Sequence, residues 1–325
     1  REWRPHPVPL FLYVRVRWGT LISLNLQEVL NSGLVVGLGL AAARFVGPRV
    51  GYLASRLIAD RVAGRRGLAW VRALRANQWV ITGQRLTGRE LDLSALAVLR
   101  HQAHCLFDLY HYRRDPAGLL ELAPLSDQVT ALIERSRSRW GGALVVIPHL
   151  SNFDVTFIAH AYRGLQAQVL TLAQPTGGYR AQNRIREMPG LEITPVNEDS
   201  ARRAVTRLKE GGLVITGIDR PVEGKTRELT FFGLSCHLPA GHIRMALEAK
   251  VPVIPAAVTM EPGGQYRLKL GEPIALRTDD RSATSIRLNA EAVLEAMAGF
   301  IRQAPEQWLM YYPVWPQTLD ACPSQ

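Results

Sequence analysis

The second half of the chain alternates between short, continuously apolar runs and longer segments with helical spacing. The clearest run is Ala143 to Ile147, which follows two glycines and is closed by Pro148. A short apolar run with β-branched residues, bounded by Gly and Pro, predicts a buried strand. Further strands are predicted at 168–172, 191–196 and 213–217, and helices at 153–163, 179–187 and 200–210. Strands that alternate with helices form βαβ units, so we predict a mainly parallel sheet flanked by helices.

The pattern after residue 217 predicts two hairpins and two more helices. Segments 228–232 and 235–238 flank Gly233-Leu234, and segments 253–260 and 265–270 are joined at Pro262-Gly263-Gly264, as hairpin strands are. Helices are predicted at 240–250 and 283–303. The second hairpin is expected to close the sheet.

The pattern of apolar and polar positions in the first 140 residues predicts helices instead of strands. Amphipathic segments at 49–63, 65–78 and 88–113 are followed by a helix at 126–140, which Ser126 is expected to cap. We therefore predict an α/β fold with an N-terminal helical region. Residues 49–325 are interpreted as one α/β domain, helical over 49–140 and built of sheet and helices over 141–303.

Residues 1–48 are interpreted as amphipathic, membrane-associating helices. The apolar stretch Gly33 to Ala43 is too short to span a bilayer, which needs about 20 residues. Together with Thr20 to Leu30 it predicts a helix that lies on a membrane or packs on the core, because sequence does not separate a lipid-facing stripe from a core-facing one. The opening residues carry charges through their apolar positions, so no secretory signal is expected.

The composition of the chain limits the classes of partner that we expect it to bind. The chain has 325 residues, 47% of them hydrophobic, and a formal net charge of +11. This charge favours an anionic partner, either a membrane or a nucleic acid. The positive charge is dispersed and no nucleic-acid-binding motif is visible, so we expect no nucleic acid partner. Three separated cysteines indicate neither a disulfide framework nor a zinc site.

The candidate chemistry lies just after the strand at 143–147. His149 follows its carboxyl end, where open α/β sheets place their ligands. Ser151 and Asp154 have the spacing of a helix start, in which the Ser151 side chain would bond the Asp154 N–H. A histidine with an orienting carboxylate and no neighbouring Ser or Cys suits general-base catalysis, with Asp154 fixing the tautomer of His149. Backbone N–H groups from Leu150 onward are candidates to stabilise an oxyanion.

Several motifs resemble those of one family. The block His-Leu-Ser-Asn-Phe-Asp at 149–154 is similar to the His-x-x-x-x-Asp/Glu signature of bacterial lipid acyltransferases. Four further motifs follow in the order and at about the spacing of that family: Asp219-Arg220, Phe231-Phe232-Gly233, Pro239-Ala240-Gly241 and 251–255. The chain therefore resembles the lipid A late acyltransferases, a branch that includes phosphatidylinositol mannoside acyltransferases.

The resemblance implies a membrane-associated O-acyltransferase of lipid biosynthesis. A fatty acyl chain would pass from acyl-coenzyme A or acyl carrier protein to a hydroxyl of a glycolipid or lysolipid. These donors are co-substrates, so no bound cofactor is expected. The expected location is the cytoplasmic face of the cell membrane, peripheral or anchored by the N-terminal region.

The same resemblance suggests substrate-binding residues around His149 and Asp154. Residues 179–183 are similar to the second motif of the family, in which a basic residue meets acceptor phosphate or sugar. The alternative for Arg180 is a solvated helix face, and for Asp219-Arg220 a structural ion pair. The predicted substrate-binding residues are Asn152, Arg180, Asn183, Asp219 and Arg220.

Parts of the sequence are compatible with two other functions and with a metal site. Glu-Gly-Lys-Thr-Arg at 223–227 is loosely similar to the phosphate motif of glycerolipid acyltransferases, apart from an inserted Lys, so a glycerol-phosphate or lysophosphatidate acyltransferase is the second candidate. A non-catalytic basic protein that binds anionic membrane or nucleic acid is the third. His101, His104, Asp108 and His111 share one helical stripe, for which we favour a solvated or capping role over a metal site.

Overall fold

The computed structural model describes residues 11–13, 23–25, 43, 45–139, 141–173, 177–222, 224, 226–278 and 282–324. Its strands are β1 (Phe11–Tyr13), β2 (Ser23–Asn25), β3 (Ala143–Ile147), β4 (Ala167–Thr171), β5 (Leu191–Pro195), β6 (Leu213–Gly217), β7 (Thr226–Phe231), β8 (Leu234–Pro239), β9 (Val253–Met260) and β10 (Tyr266–Leu270). Its helices are α1 (Pro48–Ala63), α2 (Ala69–Ile81), α3 (Gly88–Tyr112), α4 (Pro116–Leu122), α5 (Asp127–Ser138), α6 (Phe153–Tyr162), α7 (Gly177–Arg186), α8 (Glu198–Lys209), α9 (Gly241–Ala249) and α10 (Ala283–Gln303).

A six-stranded sheet forms the centre of the molecule, in the order β10-β9-β3-β6-β4-β5. All neighbours in it are parallel except β10, which pairs antiparallel with β9. The predicted α/β class with a mainly parallel sheet is thereby confirmed. β7 and β8 form a separate two-stranded hairpin.

β3 is continuously apolar because both of its faces are covered. Leu144 and Val146 belong to the core on the side of α8, α9 and α10, whereas Val145 and Ile147 belong to the core on the side of α4, α5 and α6. All five residues of the strand are buried. A parallel strand with helices on both faces needs apolar side chains on both faces, which explains the uninterrupted run.

One prediction of local structure is corrected, and one helix was not predicted. Ser23–Asn25, within the segment predicted as a helix at 20–30, is a strand paired with Phe11–Tyr13. The rest of the apolar segment, residues 26–42, lies outside the described residues, and so does most of the predicted 1–48 unit. Helix α4 was not predicted, because its seven residues are too few for a clear helical period. Within the described ranges, no helix has both the length and the apolar character to cross a bilayer.

Three buried histidines make the fold sensitive to acid. Burial lowers the pKa of His160 to about 3, and that of His101 and His242 to about 4, from the ordinary value of 6.5. The unfolded chain therefore binds more protons than the folded one between pH 6.5 and about 4. Their contribution to stability is complete above pH 6.5 and is lost as the pH falls toward 4.

We expect the free energy of unfolding to fall in this window by up to about 1.4 kcal/mol per pH unit for each histidine. Urea denaturation across the pH range measures the slope. His242→Gln should reduce it, whereas the exposed His237→Gln should not change it. Equal slopes in all three proteins would contradict the assignment to buried histidines.

Candidate active site

The turn after β3 is held by the backbone of the segment that follows α10. The carbonyl of His149 accepts a hydrogen bond from the Leu309 N–H (2.8 Å), and the Ser151 N–H donates to the Gln307 carbonyl (2.8 Å). Ser151 has a φ of 52°, a left-handed conformation that costs free energy in a residue other than Gly. These two backbone hydrogen bonds fix this conformation, and so the direction in which His149 leaves the sheet.

His149 is bonded to Asp219 by both its side chain and its backbone. Nδ1 of His149 lies 2.6 Å from Oδ1 of Asp219, and the His149 N–H donates to Oδ2 over 2.9 Å. The indole Nε1–H of Trp308 also donates to Oδ2, over 2.7 Å. When Nδ1 donates to the carboxylate, the neutral ring carries no proton on Nε2, which is then the basic atom.

Asp219 is fully buried, whereas 26% of the His149 side chain is exposed. Burial alone would raise the pKa of Asp219, but the adjacent His149 and the donors from His149 and Trp308 outweigh it and lower this pKa below its ordinary value. The carboxylate is therefore charged at neutral pH. A charged, buried partner stabilises the imidazolium that forms when His149 takes up a proton.

Gly217, the last residue of β6, leaves room for the imidazole. A Cβ built there would lie 2.9 Å from Cε1 of His149, closer than carbon atoms approach without a shift. The ring therefore packs directly on the backbone of β6. A larger residue at this position would push His149 away from Asp219.

The predicted contact between Asp154 and His149 is corrected by the structure. Asp154 forms a two-point ion pair with Arg186, from Nε to Oδ1 (2.7 Å) and from Nη2 to Oδ2 (2.9 Å). The Phe153 ring contacts both the His149 ring, at 5.9 Å between centroids, and the Arg186 guanidinium, at 5.9 Å. Asp154 lies in the first turn of α6 and is directed toward Arg186 of α7, whereas Asp219, which follows β6, is the carboxylate that contacts His149.

The cap of α6 also differs from the prediction. Asn152, and not Ser151, is the N-cap, and its Oδ1 accepts from the Val155 N–H (3.3 Å). Its amide nitrogen donates to the Cys105 carbonyl (2.9 Å), so both polar ends of Asn152 have structural partners. The Leu150 N–H donates to the Pro148 carbonyl and the Ser151 N–H to Gln307, so these two groups are not the oxyanion donors we expected.

Arg220 lies between two aromatic rings beside Asp219. Its guanidinium is 4.0 Å from the centre of the Tyr312 ring and 5.0 Å from that of Tyr179, and it also donates to the Tyr179 hydroxyl. Such cation–π contacts hold the planar group in one orientation. Its buried Nε has no partner among the described residues.

The two predicted residues on α7 differ in exposure. Arg180 is exposed, whereas Asn183 is buried and its Oδ1 accepts from Arg186 Nη1 over 3.0 Å. Asn183 therefore belongs to the Asp154–Arg186 cluster. Any role of Arg180 or Asn183 in binding substrate stays a prediction.

His101 and Asp108 of the stripe on α3 are buried and bonded, which corrects the prediction of a solvated or capping stripe at these two positions. His104 and His111 are partly exposed. Asp108 is fully buried and accepts hydrogen bonds from the hydroxyls of Tyr52 (2.7 Å) and Tyr266, with His104 Nε2 at 3.2 Å. His101 Nε2 lies 2.9 Å from the Ser151 hydroxyl. Within the described ranges, no three His, Cys, Asp or Glu side chains are arranged to hold a metal ion.

Sequence reasoning missed the role of Asp219 as partner of His149 and missed Trp308 altogether. β3 and β6 are neighbours, and Ile147 pairs with Gly217. His149 and Asp219 each stand two residues past these partners, so equal offsets from two predicted strand ends were an available signal. No local pattern marks Trp308, which reaches the site only through tertiary packing.

Comparison with known proteins gives the family of this chain. Residues 129–317 match the model of the bacterial lipid A biosynthesis acyltransferases, more than half of the chain. The chain belongs to this family. The matched region contains His149, Asp154, Asp219 and Trp308, and the family resemblance noted in the sequence is confirmed.

The chain is similar to acyltransferases of mycobacteria and of a related species. A phosphatidylinositol mannoside acyltransferase of Mycolicibacterium smegmatis is 23% identical over 179 residues, 54% of this chain and 57% of that protein. A protein of the same name from Mycobacterium tuberculosis (strain ATCC 25618 / H37Rv) is 24% identical over 178 residues, 54% of each chain. The chain thus spans little more than half the length of the relatives that it matches.

The Asp154–Arg186 pair should contribute strongly to stability. Both side chains are about 15% exposed, so Asp154→Asn leaves a nearly buried guanidinium without its counter-charge. We expect a loss of about 3 kcal/mol in the free energy of unfolding, measured by urea denaturation. The matched control is Asp60→Asn, which breaks an equally two-pronged but more exposed pair with Arg100 and should cost much less. Equal losses in both variants would contradict this assignment.

Proposed function

We propose that this protein is an O-acyltransferase that moves a fatty acyl chain from a thioester donor to a hydroxyl of a lipid acceptor. The observation that carries the proposal is the His149–Asp219 pair at the carboxyl edge of the sheet, in a chain of this family. The histidine is partly exposed, and its carboxylate partner is buried and charged. That combination suits a general base that works at neutral pH.

The proposed reaction needs only this pair and the two substrates. Nε2 of His149 takes the proton of the acceptor hydroxyl, and the oxygen attacks the thioester carbonyl. The tetrahedral intermediate collapses, the carbon–sulfur bond breaks, and the imidazolium returns its proton to the leaving thiolate. Asp219 stabilises the imidazolium between these two steps. The donor is acyl-coenzyme A or acyl carrier protein, as the family resemblance implies.

An acceptor with an anionic headgroup agrees with the charge around His149. Arg220, held between two tyrosine rings next to Asp219, presents a fixed guanidinium, and Arg180 lies exposed on α7. A guanidinium binds phosphate oxygens at two points. The relatives' name, phosphatidylinositol mannoside acyltransferase, also describes a phosphate-bearing glycolipid acceptor. We propose Arg220 as the residue that meets the acceptor phosphate, with Arg180 and Asn183 nearby on α7.

A glycerol-phosphate or lysophosphatidate acceptor remains the second candidate, because it has the same hydroxyl and phosphate chemistry. The motif that favoured it lies partly outside the described residues, and Thr226 begins strand β7. Mass spectrometry of lipids from cells with and without the protein distinguishes the candidates. The lipid that disappears identifies both the acceptor and the added chain.

Removing the base or its carboxylate should lower turnover far more than it lowers the melting temperature. We expect His149→Ala and Asp219→Asn each to lower turnover by about 100-fold or more, the usual contribution of a general base. His237→Ala, at an exposed position on β8, is the matched control. Turnover is measured with radiolabelled acyl donor, and circular dichroism checks the fold. A His149→Ala variant that keeps more than about a tenth of wild-type turnover would disprove the proposal.

Asp154 should affect turnover through Arg186 and not through His149. The losses of activity in Asp154→Asn and Arg186→Gln should therefore be non-additive when combined, because each breaks the same pair. The double variant of Asp154→Asn with His149→Ala tests the alternative. If Asp154 acted by orienting His149, adding Asp154→Asn to His149→Ala would cause no further loss of turnover. Additive losses for Asp154 and Arg186 would contradict a shared role.

A further inference from the structure

Helix α1 exposes an apolar face that the described part of the molecule does not cover. Val50, Leu53 and Leu57 stand at spacings of three and four residues, and Ile58 lies beside them. Their side chains are 62%, 58%, 57% and 64% exposed, respectively. Ala59 on the opposite face is buried, and Gly51 is buried against Phe107 of α3. Isolated exposed apolar residues are ordinary, but Val50, Leu53 and Leu57 on one helical face, with Ile58 exposed at its border, indicate a surface for an apolar partner.

Arginines surround this face. Arg49, Arg56, Arg61 and Arg65 are exposed on or just after α1, and a shallow groove is lined by Leu57, Ile58, Arg61, Val62 and Arg65. The one acidic residue of α1, Asp60, is paired with Arg100 of α3. The face is therefore apolar with a positive rim.

We infer that α1 is a membrane-docking helix, which lies in the surface of an anionic bilayer with Val50, Leu53 and Leu57 inserted. An apolar face with a rim of arginines has the pattern of helices that lie at the boundary between headgroups and acyl chains. A second copy of this chain fits less well, because two such faces would bring their arginines together. The docking surface is defined as Val50, Leu53, Leu57 and Ile58 with the four arginines.

The docking surface is one helix away from the candidate active site. Tyr52 of α1 donates to Asp108 of α3, and His104 stacks on Tyr52 with ring centroids 4.3 Å apart. On the same helix α3, His101 contacts Ser151, two residues after His149. α1 is thus linked through α3 to the turn that carries His149. If the proposed function holds, docking through α1 brings the protein to the bilayer that carries its lipid acceptor.

Vesicle binding by the full chain tests the inference. The probes are vesicles of phosphatidylcholine, with and without phosphatidylglycerol, and binding is measured by co-sedimentation without acyl donor. We expect Leu53→Glu to lower the partition onto anionic vesicles by about tenfold, because it removes one buried leucine side chain from the lipid. Val196→Glu is the matched control: it places the same charge at an exposed apolar position after β5, at the opposite edge of the sheet from β10, and should bind as the wild type does.

A second pair of variants tests the charge. Arg56→Gln and Arg61→Gln should each weaken binding to anionic vesicles by about fivefold and leave binding to neutral vesicles unchanged. Added salt should release part of the protein and not all of it, since apolar insertion is not screened by ions. Equal binding of all variants and the wild type would overturn the inference.

Two other results would show that the docking surface binds something other than a membrane. If Leu53→Glu lowers the melting temperature together with binding, the face packs against another part of this chain. If the wild type sediments as a dimer that Leu53→Glu dissociates, the occupant is a second copy. Vesicle binding is measured independently of enzymatic activity. A protein that binds vesicles through Leu53 but transfers no acyl group would therefore contradict the proposed function and leave the membrane-docking inference standing.

Discussion

A carboxylate buried away from water is costly unless hydrogen bonds compensate it, and Asp219 is such a group. It is compensated by three donors from two segments that are distant in the sequence: the backbone and ring of His149 and the indole of Trp308. Loss of any donor would leave the buried charge less well compensated. The turn after β3, the end of β6 and the segment after α10 are therefore bound to one geometry by a single anion.

Several sets of contacts surround Asp219 and His149. The backbone of Gln307 to Leu309 pairs with the His149 turn, and this pairing brings Trp308 to the carboxylate. Gly217 lets the imidazole lie against β6, and the Asp154–Arg186 pair ties α6 to α7 on the other side of Phe153. His149 is thus positioned by backbone contacts, while its electrostatic environment is set mainly by the Asp219 side chain.

Local pattern was sufficient for most of the fold. The strand at Ala143 to Ile147 was predicted with its observed ends because both faces of β3 are buried, so every residue is apolar. The position of His149 followed from that strand. Its partner did not follow, because which strands are neighbours is a property of the whole sheet. Asp154 was nearest in sequence, but the helix that begins after Asn152 directs it to Arg186.

Buried polar groups were the hardest to predict. His101 and Asp108 lie on a helix with polar positions on several faces, so the sequence favoured a solvated stripe. Their partners, Ser151, Tyr52 and Tyr266, come from three separate parts of the chain. Only the tertiary structure brings these donors and acceptors together.

The contacts of α3 have a consequence for how this protein is divided in the laboratory. The region shared with the family begins at residue 129, yet the His149 turn is bonded to His101 and Cys105, which precede it. A chimera that exchanges only the shared region between two relatives would combine the His149 turn of one protein with the α3 of the other. The natural unit of exchange therefore starts before α3 and extends past Trp308.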